Sequence, residues 1–242
     1  MPSSPERTVF VAGASGAVGR VLCRLLLADN WTVVGITRSA AKAADLTAMG
    51  VRASTVDVFD RDALIRAVVD ARPHVVVHQL TDLPKVKDPE RLEAARPNNA
   101  RLREIGTDNL VAGAIAASAK RLVAQSIAFA YADGPRPYHE DAPLSPSATS
   151  VARLEQLVLG GPFEGLVLRY GRFYGPGTWY DRPSSEPPVV HVDAAADAAR
   201  RAMTRGAPGI YNVAEEDGAV SSDNAMRELG WQPSFRSSGA TS

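Results

Sequence analysis

Thr8-Val9-Phe10-Val11-Ala12-Gly13-Ala14-Ser15-Gly16-Ala17-Val18-Gly19-Arg20-Val21-Leu22-Cys23-Arg24-Leu25-Leu26-Leu27 is the stretch whose reading decides the fold. Val9 to Ala12 is a short apolar run of the kind shown by a strand buried on both faces. Val21, Leu22, Leu25 and Leu26 then repeat at helical spacing. Three glycines lie between. Gly13 lets the chain leave the strand sharply, Gly16 lets a phosphate approach the backbone, and Gly19 lets the helix pack closely. The free N–H groups and positive dipole end of a helix start suit a diphosphate. Strand before and helix after are the context that makes the glycine spacing informative.

Working outward, Thr32 to Thr37 reads as a second buried strand that ends at Thr37-Arg38-Ser39. An acidic residue here would grip a ribose 2′-hydroxyl, whereas guanidinium binds a 2′-phosphate through charge-assisted hydrogen bonds. Arg38 therefore favours NADP, with NAD as the alternative. Ala40 to Met49 reads as a helix stopped by Gly50, Val51 to Val56 as a strand, and Asp60 to Ala71 as a helix capped by Asp60. His74 to Leu80 is a fourth strand. The alternation predicts an α/β fold: a doubly wound, Rossmann-type parallel sheet with helices on both faces. Ligands of such sheets sit beyond the carboxyl ends of the strands, where Gly13 to Gly19, Arg38, Asp57 and Gln79-Leu80-Thr81 all fall.

Further along, Leu83 to Pro97 is polar and reads as a cover for that edge. A long helix is expected from Asn99 to Ala119, with Leu102, Ile105, Leu110, Val111, Ala114 and Ile115 on its inner face. Arg121 to Ser126 is strand five, Ala132 to Ser147 a loop, Ser150 to Leu159 a helix and Gly165 to Arg169 strand six. A loop from Thr178 to Pro188, a strand at Val189 to Val192, a helix from Asp193 to Arg205 and a strand at Gly209 to Val213 follow, then a helical piece near Asn224 to Leu229. The division reads as a dinucleotide-binding domain over 1–170 and a reduced substrate lobe over 171–242, with 189–213 returning to the first.

The 242 residues are 45% apolar, enough for a sizeable core, and 27 basic side chains balance 27 acidic ones. Nothing in that balance favours nucleic acid or an anionic membrane. Cys23, the only cysteine, reads as a small buried hydrophobe, which excludes disulfide frameworks and Cys-rich metal sites. Met1 to Glu6 carries no charged-then-apolar leader pattern, and no run is long enough to span a bilayer. The expectation is a cytoplasmic protein without a metal, acting on a small molecule, with a homodimer left open.

Several phrases together resemble the extended short-chain dehydrogenase/reductases, the NAD(P)-dependent epimerase/dehydratase group. They are Gly13 to Gly19, Asp57-Val58, Gly106-Thr107-Asp108-Asn109-Leu110, Leu168 to Gly177, Val190-His191-Val192-Asp193, Tyr211-Asn212-Val213 and Leu229-Gly230-Trp231-Gln232-Pro233. The resemblance implies that Gly13, Ser15, Gly16, Ala17, Val18 and Gly19 hold the pyrophosphate. It puts Thr37 and Arg38 at the 2′ position, with Asp57 and Val58 flanking adenine. Gln79, Leu80 and Thr81 would run along the ribose and phosphates, Gln125 and Ser126 under the nicotinamide ribose. Tyr170, Gly171, Arg172 and Phe173 would border the nicotinamide.

The chemistry of this group rests on a Tyr four residues before a Lys, with a Ser or Thr nearby; the Lys lowers the pKa of the Tyr that moves the proton. The lysines here are Lys42, Lys85, Lys87 and Lys120, none after strand five. Matching Ser150 to Leu159 to the group's active-site helix puts Ser147 or Thr149 at the Tyr position and Val151 or Arg153 at the Lys position, and the resemblance puts Ile127 at the Ser/Thr position. Catalytic candidates are therefore Ser126, Tyr131, His139 and Arg153, with Tyr138 nearby. Three functions are compatible: an NADP-dependent oxidoreductase of a small carbonyl or hydroxyl compound with a non-standard proton donor, an inactive NADP-binding sensor or regulator, or a sugar-nucleotide-type epimerase or dehydratase.

Overall fold

A computed structural model describes residues 7–84 and 87–237; the leader reading at Met1 to Glu6, and Lys85, lie outside the described residues. Seven parallel strands form one sheet in the order β3-β2-β1-β4-β5-β6-β9. They are β1 (Thr8–Ala12), β2 (Thr32–Thr37), β3 (Arg52–Thr55), β4 (Val75–His78), β5 (Arg121–Ile127), β6 (Glu164–Tyr170) and β9 (Gly209–Val213). The doubly wound parallel sheet is thus the one expected. Alternate residues of the strands feed two cores. Val9, Val11, Val33, Val77 and Val123 pack under α1 (Ala17–Ala28) and α7 (Val192–Ala202). Phe10, Ala12, Val76, Leu122 and Ala124 pack under α3 (Arg61–Ala71), α5 (Thr107–Ala116) and α6 (Thr149–Leu159). The remaining helix of this half, α2, covers Ala40–Ala48.

Local chemistry sets the boundaries. Asp60 caps α3 by accepting from the Ala63 N–H at 3.0 Å. Cys23 is fully buried in α1, and burial pushes its thiol up to about 12, so it acts as an apolar filler.

Two expectations need correction. Leu83 to Pro97 is not all cover: α4 runs Pro89–Arg101, because Asp88 caps it by accepting from the Arg91 N–H at 2.9 Å and Pro89 occupies the first helical position. The long helix is interrupted by a π-helical turn, Leu102–Gly106, before α5. That turn adds a residue to the register. Leu102, Gly106, Thr107 and Leu110 stay against the sheet, while Ile105 and Ile115, expected inside, are 45% and 47% exposed. The position facing α3 is Gly113, where a Cβ would lie 2.9 Å from Val68. The structure adds a short strand that the sequence reading did not assign: β7 (Arg172–Tyr174) pairs in parallel with β8 (Val189–His191) outside the main sheet. A second π-helical turn covers Ala225–Leu229, and the buried Trp231 behind it donates its indole N–H to the Ala194 carbonyl at 2.8 Å.

Candidate functional site

The carboxyl edge of β1 carries a cradle. Gly13 has φ +89°, and a Cβ there would lie 2.3 Å from the Gln79 carbonyl oxygen. The Gly16 N–H donates to the Gly13 carbonyl at 3.0 Å, closing the turn. At Gly19 a Cβ would sit 2.2 Å from the Gly13 oxygen, so this glycine lets α1 start directly on the turn. No side chain caps the start of α1 at Gly16. Its orphan N–H groups are left for an anion. Ser15 donates to Thr37 Oγ1 at 3.1 Å, which ties this turn to the end of β2.

Arg38 lies beyond β2, half exposed, and donates to Asp82 Oδ1 at 2.9 Å. Asp82 is itself held: Asn98 donates to its other carboxylate oxygen, and the Asn99 side chain bonds its backbone N–H and carbonyl, each at 2.9 Å. Asp57 accepts from the Phe59 N–H at 3.0 Å, the turn role open to a short acidic side chain. Val58 is buried, and its carbonyl accepts from Asn109 at 2.9 Å.

At the end of β4, His78 is buried and held in one tautomer by its neighbours. Nδ1 accepts from the Leu80 N–H at 3.4 Å, so the Nε2–H donates to Thr107 Oγ1 at 3.0 Å. Thr107 in turn donates to the Leu102 carbonyl at 3.4 Å. Burial, aided by the Arg103 charge, pushes the His78 pKa down to about 4. The next residue, Gln79, is 4% exposed, and neither carboxamide atom has a hydrogen-bond partner among the described residues. An unmet buried amide beside a backbone cradle that excludes any Cβ fits a polar ligand such as a dinucleotide. Leu80 and Thr81 continue along the same lip, and Gln125 is buried at the edge of β5. Tyr170 is fully buried, donating to the Ala195 carbonyl at 3.1 Å, and burial raises its pKa. Gly171 packs on the backbone of Pro188 and Val189, and the Phe173 ring lies 5.4 Å from that of Tyr170.

The β5–β6–β9 end is different. Ser126, Arg169 and Asn212 are in register on one face. Ser126 donates to Glu155 Oε1 at 2.7 Å, and Arg169 donates to both Glu155 oxygens at 2.9 and 2.7 Å. Tyr131 accepts from Arg169 at 2.8 Å and donates to Asn212 Oδ1 at 2.6 Å. Burial opposes the Arg169 charge, but the bonds and charge of Glu155 outweigh it and raise the pKa. Burial raises the Tyr131 pKa as well, and its ring stacks on Tyr138 at 5.1 Å. His139 is exposed on the loop, and Arg153 is exposed on α6 with its donor toward Gln156 at 3.2 Å. The four catalytic candidates therefore do not converge on one point: Ser126 and Tyr131 are bonded into a buried network, and the other two face solvent. Val151 is the buried position one turn before Glu155, and Ser147, exposed, shares a hydrogen bond with Ser145 at 2.9 Å. Sequence reading missed the Glu155–Arg169 pair, whose signal was two opposite charges inside otherwise apolar patterns.

Two sets of contacts join separate surface segments. Trp179 donates to the Pro84 carbonyl at 2.7 Å, Lys87 lies 4.9 Å from the Tyr180 ring, and Arg172 lies 4.3 Å from the exposed Phe129 ring. His191 caps α7 by accepting from the Asp193 N–H at 3.1 Å and packs edge-on against Tyr174. Among the described residues there is no group of three or more His, Cys, Asp or Glu able to hold a metal, and no helix long and apolar enough to cross a membrane.

Residues 9–187 match the NAD dependent epimerase/dehydratase family. A 3-diazoavenalumate denitrifying reductase from a Streptomyces species is 40% identical, covering 93% of this chain and 82% of that protein. The methionine adenosyltransferase 2 subunit beta of Rattus norvegicus is 26% identical over 71% of this chain, which spans 48% of that protein. In fold, a Thermus thermophilus UDP-glucose 4-epimerase solved with NAD superposes with a TM-score of 0.74 at 22% identity, covering 95% of this chain and 94% of that one.

Proposed function

We propose, for a chain that belongs to the NAD dependent epimerase/dehydratase family, that it is an NADPH-dependent reductase whose acceptor takes hydride without needing a proton on oxygen. The class of acceptor we assign is an aromatic diazonium. The observation that carries this is the contrast at the site. The cradle at Gly13 to Gly19 is open and shaped by backbone, while the positions expected to hold the Tyr and Lys carry Ser147 or Thr149 and Val151 or Arg153. Ser126 and Tyr131, the nearest substitutes, are both bonded into the buried network of Glu155, Arg169 and Asn212. Reduction of a carbonyl needs a proton donor at the developing alkoxide. An arenediazonium does not: adding hydride to Ar–N₂⁺ and losing N₂ gives Ar–H, balanced in atoms and charge.

Bound NADPH would supply the hydride. The chain's own residues would bind and orient: the α1 start takes the diphosphate, Gln79 offers its unmet carboxamide, and Gly171 with Phe173 walls the edge. Arg38 supports NADP over NAD because no acidic residue stands at the end of β2. Similarity to a reductase whose name specifies a diazo compound and a denitrifying reaction supports the acceptor class.

The test is turnover of a carboxyl-bearing arenediazonium salt with NADPH deuterated at C4. We expect dinitrogen release in step with coenzyme oxidation, and deuterium on the arene carbon. Deuterium delivered only to members of a carbonyl panel would overturn the acceptor class, and absence of coenzyme binding would overturn the reductase reading itself.

A further inference from the structure

We propose that Arg103, on the π-helical turn, anchors a carboxylate of the substrate, so that the cation of the site comes from that turn and not from α6; this deepens the reductase reading above and rests on it. On α6 the position one turn before Glu155 is the buried Val151, and Arg153 is exposed and turned to Gln156. That helix therefore brings no positive charge to the edge of the sheet. The π-helical turn packs against α6. Its flank is set by its neighbours: Arg101 lies 3.7 Å from the Phe59 ring on the α3 side, and Leu102 is buried against the sheet. Arg103 stands four residues before Thr107, whose hydroxyl meets His78 at the carboxyl end of β4 at 3.0 Å, and on the same turn as Gly106, where a Cβ would lie 3.6 Å from Val58 and 4.0 Å from Leu80, so the turn borders the expected ligand crevice.

Arg103 is half-buried and makes no hydrogen bond, ion pair or ring contact with a described residue. Burial lowers its pKa and no acidic group acts in the opposite sense. Other half-buried or buried arginines of the chain have partners: Arg121 bonds Glu164, Arg169 bonds Glu155, and Arg200 and Arg201 bond Asp197. A desolvated guanidinium without a counter-charge is unfavourable, and such local violations cluster where a ligand completes them. An anion is the fitting occupant, since guanidinium forks match carboxylates. The diphosphate already has the glycine turn on β1, which leaves a substrate carboxylate. The relative's diazo compound is named as a carboxylate, consistent with this.

The experiment uses the full chain and two probes, trans-cinnamate and its neutral amide, trans-cinnamamide, titrated calorimetrically with and without saturating NADP⁺. The wild type should bind cinnamate at least tenfold more tightly than cinnamamide. Arg103→Gln should erase that preference by weakening cinnamate alone, leaving the NADPH Kd within twofold and the Tm unchanged or higher. Arg103→Lys should restore part of the preference. Equal weakening of both probes, loss of NADPH affinity in its place, or a wild type without preference would each overturn the proposal. Failure of NADPH to bind the wild type would instead strike the reductase reading, while the titrations without coenzyme still judge Arg103.

Discussion

The carboxyl edge of the sheet has two halves built on opposite terms. From β3 to β4 the polar groups are left open: the start of α1 lacks a side-chain cap, and Gln79 is buried without a hydrogen bond to any described residue. From β5 to β9 they are consumed by one another, Ser126 on Glu155, Glu155 on Arg169, and Arg169 on Tyr131, which bonds Asn212. Open groups await a ligand; closed ones hold a fold. The difference teaches that hydroxyls near a reaction centre are not thereby proton donors. What matters is whether their hydrogen bonds are already made.

The sharpest way to break this contrast is Glu155→Ala. Both members of the ion pair are almost fully buried, with side-chain exposures of 6% for Glu155 and 4% for Arg169. Removing one partner strands the other charge, which costs about 3–5 kcal/mol. For a chain of this size that is a fall in Tm of roughly 10 °C. Calorimetry should show that loss, with NADPH affinity per folded molecule unchanged. A variant with wild-type Tm would mean that the network is not structural, and Ser126 and Tyr131 would return as proton donors.

The open half also contains a buried closed knot, at His78. Its pKa is about 4 in the fold, against 6.5 for the ordinary group. Between those values the unfolded chain binds the extra proton and the fold does not. The stabilisation is therefore complete above pH 6.5 and is lost as pH falls toward 4. At about 1.36 kcal/mol per unit the full swing is roughly 3 kcal/mol. Denaturant unfolding between pH 8 and 5 should show a slope that His78→Gln flattens. Identical slopes would place His78 in water, contrary to its burial.

The half built from backbone was the legible half. Gly13 to Gly19 declare themselves because only glycine tolerates φ +89° at Gly13 and the absence of space for a Cβ at Gly19. The parallel sheet followed from apolar runs alternating with helical periods, and Asp60 and Gly50 marked ends that the structure keeps. The other half was opaque for a physical reason. Glu155 sits at an ordinary helical position, and only the register of β5, β6 and β9 brings Ser126, Arg169 and Asn212 side by side. The π-helical turn was equally hidden, since a one-residue insertion leaves the apolar spacing nearly intact while turning Ile105 and Ile115 outward.

The finest contrast concerns Arg38, the cation of the open half to which the proposed preference for NADP is assigned. It is exposed and its pair with Asp82 is of the kind worth about 0.2–1 kcal/mol. A 2′-phosphate brings more charge than one carboxylate, so the pair does not bar NADPH. It does tax it, because Asn98 and Asn99 fix Asp82 in place and an arriving phosphate must share the guanidinium with a carboxylate that cannot retreat. Asp82→Asn keeps the shape and the two backbone bonds while removing the rival charge. Fluorescence titration should show NADPH affinity rising about fivefold, which corresponds to ~1 kcal/mol, with NADH affinity unmoved. If NADPH binding weakened instead, Asp82 would be the support that aims Arg38 at the phosphate. The acidic neighbour would then belong to the site as its scaffold and not as its competitor.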